Sequence, residues 1–244
     1  MQDLTNYSPN PQYQGSDVRS FAGSEAMFFQ RVYAWMFAGL ALTAVIAFIL
    51  SRSVAWFTFI AQNPNSLWVA FIAQLGLVFF LSFRIQHLAP STAKGIFLVY
   101  SAVTGLTFSV IGMVYHPVVI FKAFISTAGV YGAMAVYGLV TKRSLQAWGS
   151  FLFMGLVGLI IAMVVNFFVA SNTMDLVICV IGVLIFAGLT AYDHQKLRVI
   201  HATALQEADE DQVHRVVVMG ALQLYLDFIN LFLFLLRLFG RSSD

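Results

Sequence analysis

Charge is scarce in this chain. Asp, Glu, Lys and Arg make up 10% of its 244 residues, against about 25% in soluble domains. So small a charged fraction neither solvates the surface of a compact domain nor keeps a chain disordered. With 60% of residues hydrophobic, the apolar side chains must face something other than water. An ordinary soluble enzyme is excluded. Basic residues are also few: 13 Lys and Arg against 11 Asp and Glu give a net charge of +2. There is no basic cluster of the kind that nucleic acid requires, so no nucleic-acid partner is expected. The single cysteine, Cys179, lies inside an apolar run, which rules out an intramolecular disulfide and a thiolate metal cluster.

The first 31 residues have neither the basic start and apolar stretch of a secretory signal nor the Arg-rich bias of a transit peptide. They are rich in Asn, Gln, Ser, Pro and Gly. They read as a polar tail, and the first apolar segment is expected to stay in the mature protein.

Apolar stretches approaching the ~20 residues needed to cross a bilayer run over 32–50, 67–83, 95–115, 118–140, 151–170, 176–191 and 216–236. The second and sixth are short and borrow a turn from flanks that carry Arg84, Lys196 and Arg198. The expected architecture is an all-α integral membrane protein, a seven-helix bundle over 32–240, with residues 241–244 as a short C-terminal tail. A barrel would instead alternate apolar and polar residues. Of the 13 basic residues, nine fall on the side of the N terminus: Arg19, Arg31, Arg84, Lys94, Lys142, Arg143, Lys196, Arg198 and Arg215. By the positive-inside rule, residues 1–31 are a cytoplasmic tail and the C terminus lies outside. Arg237 and Arg241 argue weakly the other way.

Small residues let helices approach closely in lipid. Ser101, Thr104, Gly105, Phe108 and Gly112 share one helical face, as do Gly129, Ala133 and nearby Gly132, and both sets read as packing seams. No internal repeat supports an inverted-repeat transporter. The five histidines, His87, His116, His194, His201 and His214, lack His-x-x-x-His spacing and read as solvated ends, so no resident cofactor and no catalytic residue is expected.

The informative residues are acids inside apolar segments. Asp227 falls near the middle of the seventh span. There an Asp costs about 2.5–3.5 kcal/mol on insertion scales, while each Leu, Ile, Phe or Val returns only ~0.3–0.6. With Gln223 and Asn230 added, this helix inserts only marginally alone, so other helices should surround it. At about 100° per residue, with Gln223 at zero, Asp227 lies near +40°, Asn230 near −20° and Arg237 near −40°. They form a polar seam on one face. The sixth span supplies a second acid in GLTAYDHQKL, where Asp193 follows Tyr192 close to the border. Two carboxyls within hydrogen-bond reach cannot both ionise cheaply, so they share a proton and titrate as a unit. Such a pair senses pH, and its oxygens also suit a hard cation such as calcium. Against this, a flat-slab estimate at ~1.5 Å per residue leaves Asp193 and Asp227 about 13 Å apart in depth.

At these two segments the chain resembles the transmembrane Bax inhibitor motif family, the Bax inhibitor-one group, and in particular its bacterial inner-membrane members. The resemblance runs from QRVYAWMFAGLALTA at 30–44 through YSAVTGLTFS at 100–109 to GLTAYDHQKL and ALQLYLDFINLFLFLLRLFG. It implies a seven-helix bundle with the last helix central. It also implies proton-sensitive calcium leak, with Asp193 and Asp227 as the pH sensor and gate and the cation-binding pair. A basic residue latching one aspartate is matched loosely by Arg84 in FLSFRIQHL.

Two other functions share some of these features. An intramembrane aspartyl protease would also place a YD and a second Asp on adjacent helices, but it needs Gly-x-Gly-Asp where this chain has Leu226 before Asp227. A regulatory protein without transport of its own would bind a membrane protease or a stress-response partner, with the polar first 31 residues as its contact. The calcium-leak reading is expected, with the lipid bilayer, calcium and protons as partners.

Overall fold

The computed structural model describes the backbone over residues 11–204 and 209–241, with side chains over 23–203 and 209–241. Among these residues there is no strand. Eight α-helices follow in order: α1 Pro11–Ser51, α2 Val54–Gln62, α3 Asn65–Arg84, α4 Pro90–Val114, α5 Pro117–Val140, α6 Gln146–Val169, α7 Asn172–Ala204 and α8 Glu210–Arg241. Connections are short, as expected of neighbours in a bundle. Pro90 and Pro117 open α4 and α5, where the missing N–H removes no helical hydrogen bond.

Seven helices, all but α2, are long and apolar enough to cross a membrane. The linker between the first two spans carries α2, which sequence reading did not separate. Its nine residues are too few to span, and none is buried. Ser53 caps it by accepting a hydrogen bond from the backbone N–H of Trp56. A short, mostly apolar helix with only Trp56 and Ile60 half-covered suits the membrane interface.

The boundary drawn at residue 31 is not an edge of structure. α1 begins before it, Phe28 and Phe29 are buried, and Glu25 forms an ion pair of 3.2 Å with Arg198 at the far end of α7. The apolar run marks where the helix meets lipid, but it does not mark where the helix begins.

Burial is concentrated in the last helix. In its most apolar window α8 is 67% buried, while no other span exceeds 39%, and it packs on α1, α4, α5 and α7. This agrees with the cost of carrying Gln223, Asp227 and Asn230 across a membrane alone. Large apolar side chains such as Phe83, Phe121 and Phe168 are exposed around the outside. In lipid that exposure carries no penalty, because hydrocarbon is as apolar as the side chains. The Tyr225 ring is fully buried edge-on to Phe97 and Tyr100. Its hydroxyl meets the Thr43 hydroxyl at 2.7 Å, and Thr43 donates to the Ser101 carbonyl at 2.8 Å. This knot joins α1, α4 and α8.

One expected seam is present and the other is displaced. Ser101, Thr104 and Gly105 are buried, and a Cβ on Gly105 would collide with Ile46, and one on Gly112 with Ser51, so this face does seat α1. On α5, however, Gly129, Gly132 and Ala133 are exposed. The buried stripe is Ala123, Thr127, Tyr131, Ala135 and Gly138. Small residues occur on both faces of α5, and only the partner helix selects the one that packs.

Candidate functional site

α7 and α8 run antiparallel and are both longer than a crossing requires. Their 33 and 32 residues extend about 50 Å each, against a ~30 Å hydrocarbon core. The end of α7 assigned from hydropathy, near Ala191, lies well inside the helix. Its buried stripe continues through Thr190, Asp193, His194, Leu197 and His201. Asp193 is therefore enclosed by protein, at 3% exposure, and Asp227 faces it at 4%.

The two carboxyl groups lie within hydrogen-bonding reach of each other, despite the depth difference estimated from the spans. Part of that difference closes through side-chain direction. Each Cα–Cβ bond tilts toward the N-terminus of its own helix, so in an antiparallel pair Asp193 and Asp227 lean toward one another. Helices of this length must also tilt or protrude, which the flat slab ignored.

One oxygen of each carboxyl, Oδ1 of Asp193 and Oδ2 of Asp227, is buried with no hydrogen-bond partner. An ionised carboxylate only accepts, whereas a protonated one donates. Among the described residues no donor reaches either orphaned oxygen, and a single proton held between the two carboxyls would supply one.

Gln223 reaches Asp193 across the helix interface, and Lys196 on α7 is the cation that acts on both acids. Arg84 does not take that role. It is exposed at the end of α3 and forms no ion pair among the described residues. Asn230 is also turned away, donating its side-chain N–H to the Leu226 carbonyl at 2.8 Å. Tyr192 points to the other side of α7, where its ring lies against Gly149 of α6. Of the expected polar seam, Gln223 and Asp227 belong to the pair, while Tyr192 and Asn230 do not.

Two histidines are not solvated ends. His194 is completely buried and His201 is 7% exposed. The Nδ1 of His194 lies 2.6 Å from the Thr190 carbonyl, which makes it the protonated nitrogen. Nε2 is then a buried acceptor, and it has no partner. The ring is held between Tyr33 and Tyr131, at centroid distances of 5.9 and 5.6 Å, and Tyr131 lies within electrostatic reach of both aspartates. Sequence reading missed this surround. The 3.6-residue stripe through Phe186, Thr190, His194, Leu197 and His201 was the available signal.

The donor set bears on cation binding. Calcium takes six to eight oxygens. Asp193, Asp227 and Gln223 supply fewer, and among the described residues no cluster of three or more His, Cys, Asp or Glu exists.

At the opposite end of the same interface Arg237 and Arg241 both bind Asp175, with 2.7 Å between Arg241 Nη1 and Asp175 Oδ2. Arg237 therefore belongs to a clamp between α7 and α8. Replacing Asp175 with Asn leaves two guanidinium groups side by side. The side chains of Asp175, Arg237 and Arg241 are 21%, 36% and 30% exposed. The cost should then fall between that of a surface and a buried pair, roughly 2 kcal/mol. Thermal melting in detergent should show Asp175→Asn below wild type and Asp175→Glu close to it. An unchanged Asp175→Asn midpoint would remove the clamp from the account of stability.

Comparison with known proteins gives consistent similarities. Residues 25–244 match the family model described as "Inhibitor of apoptosis-promoting Bax1". The chain is 44% identical over 225 residues to a protein of Escherichia coli (strain K12) named "Inner membrane protein YbhL", covering 92% of this chain and 95% of that one. It is 45% identical over 218 residues to an uncharacterized protein of Deinococcus radiodurans, covering 89% and 91%. An uncharacterized membrane protein of Streptococcus pyogenes serotype M1 is 38% identical over 219 residues, covering 88% and 93%.

Proposed function

This chain belongs to the Bax inhibitor family whose model is described as inhibitor of apoptosis-promoting Bax1, and on that premise we propose that it is a proton-sensitive calcium leak pathway of the bacterial inner membrane. The Asp193–Asp227 pair is its gate, and the N terminus lies in the cytoplasm. The observation that carries this reading is the pair itself: two carboxyls buried to 3% and 4% exposure, face to face, each with one orphaned oxygen. A shared proton holds α7 against α8. Losing it brings two negative charges together where water is scarce, which shifts the balance between two arrangements of the helices. Calcium and protons compete for the same oxygens. The residues of the surround have separate parts: Gln223 orients Asp193, Lys196 supplies positive charge, and Tyr33, Tyr131 and His194 close the site from α1, α5 and α7.

The test is calcium entry into liposomes containing the purified protein, titrated over roughly pH 6 to 8, where coupled carboxyls in dry sites operate. The wild type is expected to leak calcium with a rate that changes across this range. Asp193→Asn and Asp227→Asn are each expected to flatten the pH response. An unchanged response in both variants, or a wild type that passes no calcium, would defeat the proposal.

A further inference from the structure

Away from the aspartate pair, an apolar cleft of about 490 Å³ opens between the second half of α1 and the start of α5, with α4 and α8 behind it. This falls within the roughly 300–1,000 Å³ typical of small-molecule sites. Its rim residues Phe48 and Phe121 are 57% and 65% exposed, so the cleft faces lipid sideways. Along α1 its lining runs from Leu40 to Arg52, about 18 Å of helix, close to one leaflet of a ~30 Å core.

The lining is polar at one end only. Thr43 is already committed to Ser101 and Tyr225, and the Ser51 hydroxyl donates to the Phe48 carbonyl. That leaves Arg52, whose guanidinium sits 4.3 Å from the centroid of the Phe48 ring. Among the described residues no carboxylate pairs with it. Immediately beyond lies α2, with no buried residue, tied to α4 by the Trp56 indole N–H donating to the Ser109 hydroxyl at 2.7 Å. Interfacial tryptophans mark the headgroup level. The cleft thus presents one cation unpaired among the described residues, at headgroup depth, and hydrocarbon along the length of a leaflet below it.

We infer that this cleft binds an anionic phospholipid, with one acyl chain between α1 and α5 and the phosphate held by Arg52. Charge complementarity sets the choice of headgroup. Packing sets the residence of the chain, because burial in lipid gives no hydrophobic gain. The inner end of the cleft reaches Phe228 and Ile229, next to Asp227, so an occupied cleft braces α8 beside the pair. This inference does not depend on the calcium-leak reading.

Native mass spectrometry of the full chain in detergent, offered phosphatidylglycerol and phosphatidylcholine of the same chain length, tests it. The wild type is expected to retain phosphatidylglycerol preferentially. Arg52→Gln is expected to reduce that preference about fivefold, the equivalent of the ~1 kcal/mol that one basic residue contributes to an anionic lipid. Ala47→Trp, which fills the cleft, is expected to release both lipids while keeping a wild-type melting point. Arg52 is exposed, so Arg52→Gln decides the matter even if Ala47→Trp does not fold. Equal retention of the two lipids by the wild type would overturn the inference, as would an unchanged preference in Arg52→Gln. Displacement of the lipid by inorganic phosphate alone would show an anion site without a chain site, and a lipid-free dimer closing over α1 and α5 would show that a second copy covers the cleft. Either result would also overturn it.

Discussion

Gly138→Val is expected to be the most destabilising single substitution in the membrane domain. A Cβ at Gly138 would overlap the backbone carbonyl of Ala191 and stand 3.0 Å from its Cα. The opposing atoms are main chain of α7, so no side chain can rotate aside and the two helices must part. Overpacking costs typically 1–3 kcal/mol, and a rigid backbone neighbour places this case at about 3 kcal/mol or above. In a chain of this size that lowers the melting midpoint by about 6–12 °C. Ala191 is two residues from Asp193, so the same displacement moves one member of the pair. Gly132→Val on the same helix is the control, since its added Cβ meets nothing within 4 Å, and it should melt near wild type. Equal midpoints for the two variants would show that α5 and α7 separate at Gly138 without cost.

The second large effect concerns non-additivity. If Asp193 and Asp227 act as one titrating unit, either asparagine variant should remove as much of the pH dependence of calcium leak as the double variant does. There is a hydrogen-bonding reason as well. An asparagine amide offers an N–H donor to the facing carboxylate and so imitates the protonated pair at every pH. The double variant has no proton left to lose. Expressed as a coupling energy between the two sites, the cycle should give a value at the upper end of the roughly 0.5–3 kcal/mol seen for residues in contact. Effects that simply add would mean two independent titrations, and the gate assigned to the pair would fall.

Much of the site was visible in one dimension because its members break a strong local rule. Asp227 stands out in an apolar helix whatever its neighbours, and Gln223, four residues earlier, follows from spacing alone, whereas Asn230 and Arg237 share that face by spacing but not the site. His194 and His201 were misread for the opposite reason. They lie past the hydropathy boundary at Ala191, where a span was taken to end, yet the helix and its buried stripe continue to His201. Arg84 rested on the family resemblance alone, through a loose match in FLSFRIQHL, and it is exposed at the end of α3. Lys196 acts on the pair because it stands on the same helix as Asp193.

Composition and hydropathy were enough to establish the solvent, the helical class and seven crossings, because transfer into lipid is a property of each segment taken separately. Which acid meets which, and whether Asn230 or His194 lines the site, depends on how far each helix is rotated and slid against its neighbour. Those two quantities are set by close approaches such as Gly138 on Ala191 and by the Asp175 clamp. These contacts join residues far apart in the chain, and no local pattern encodes them.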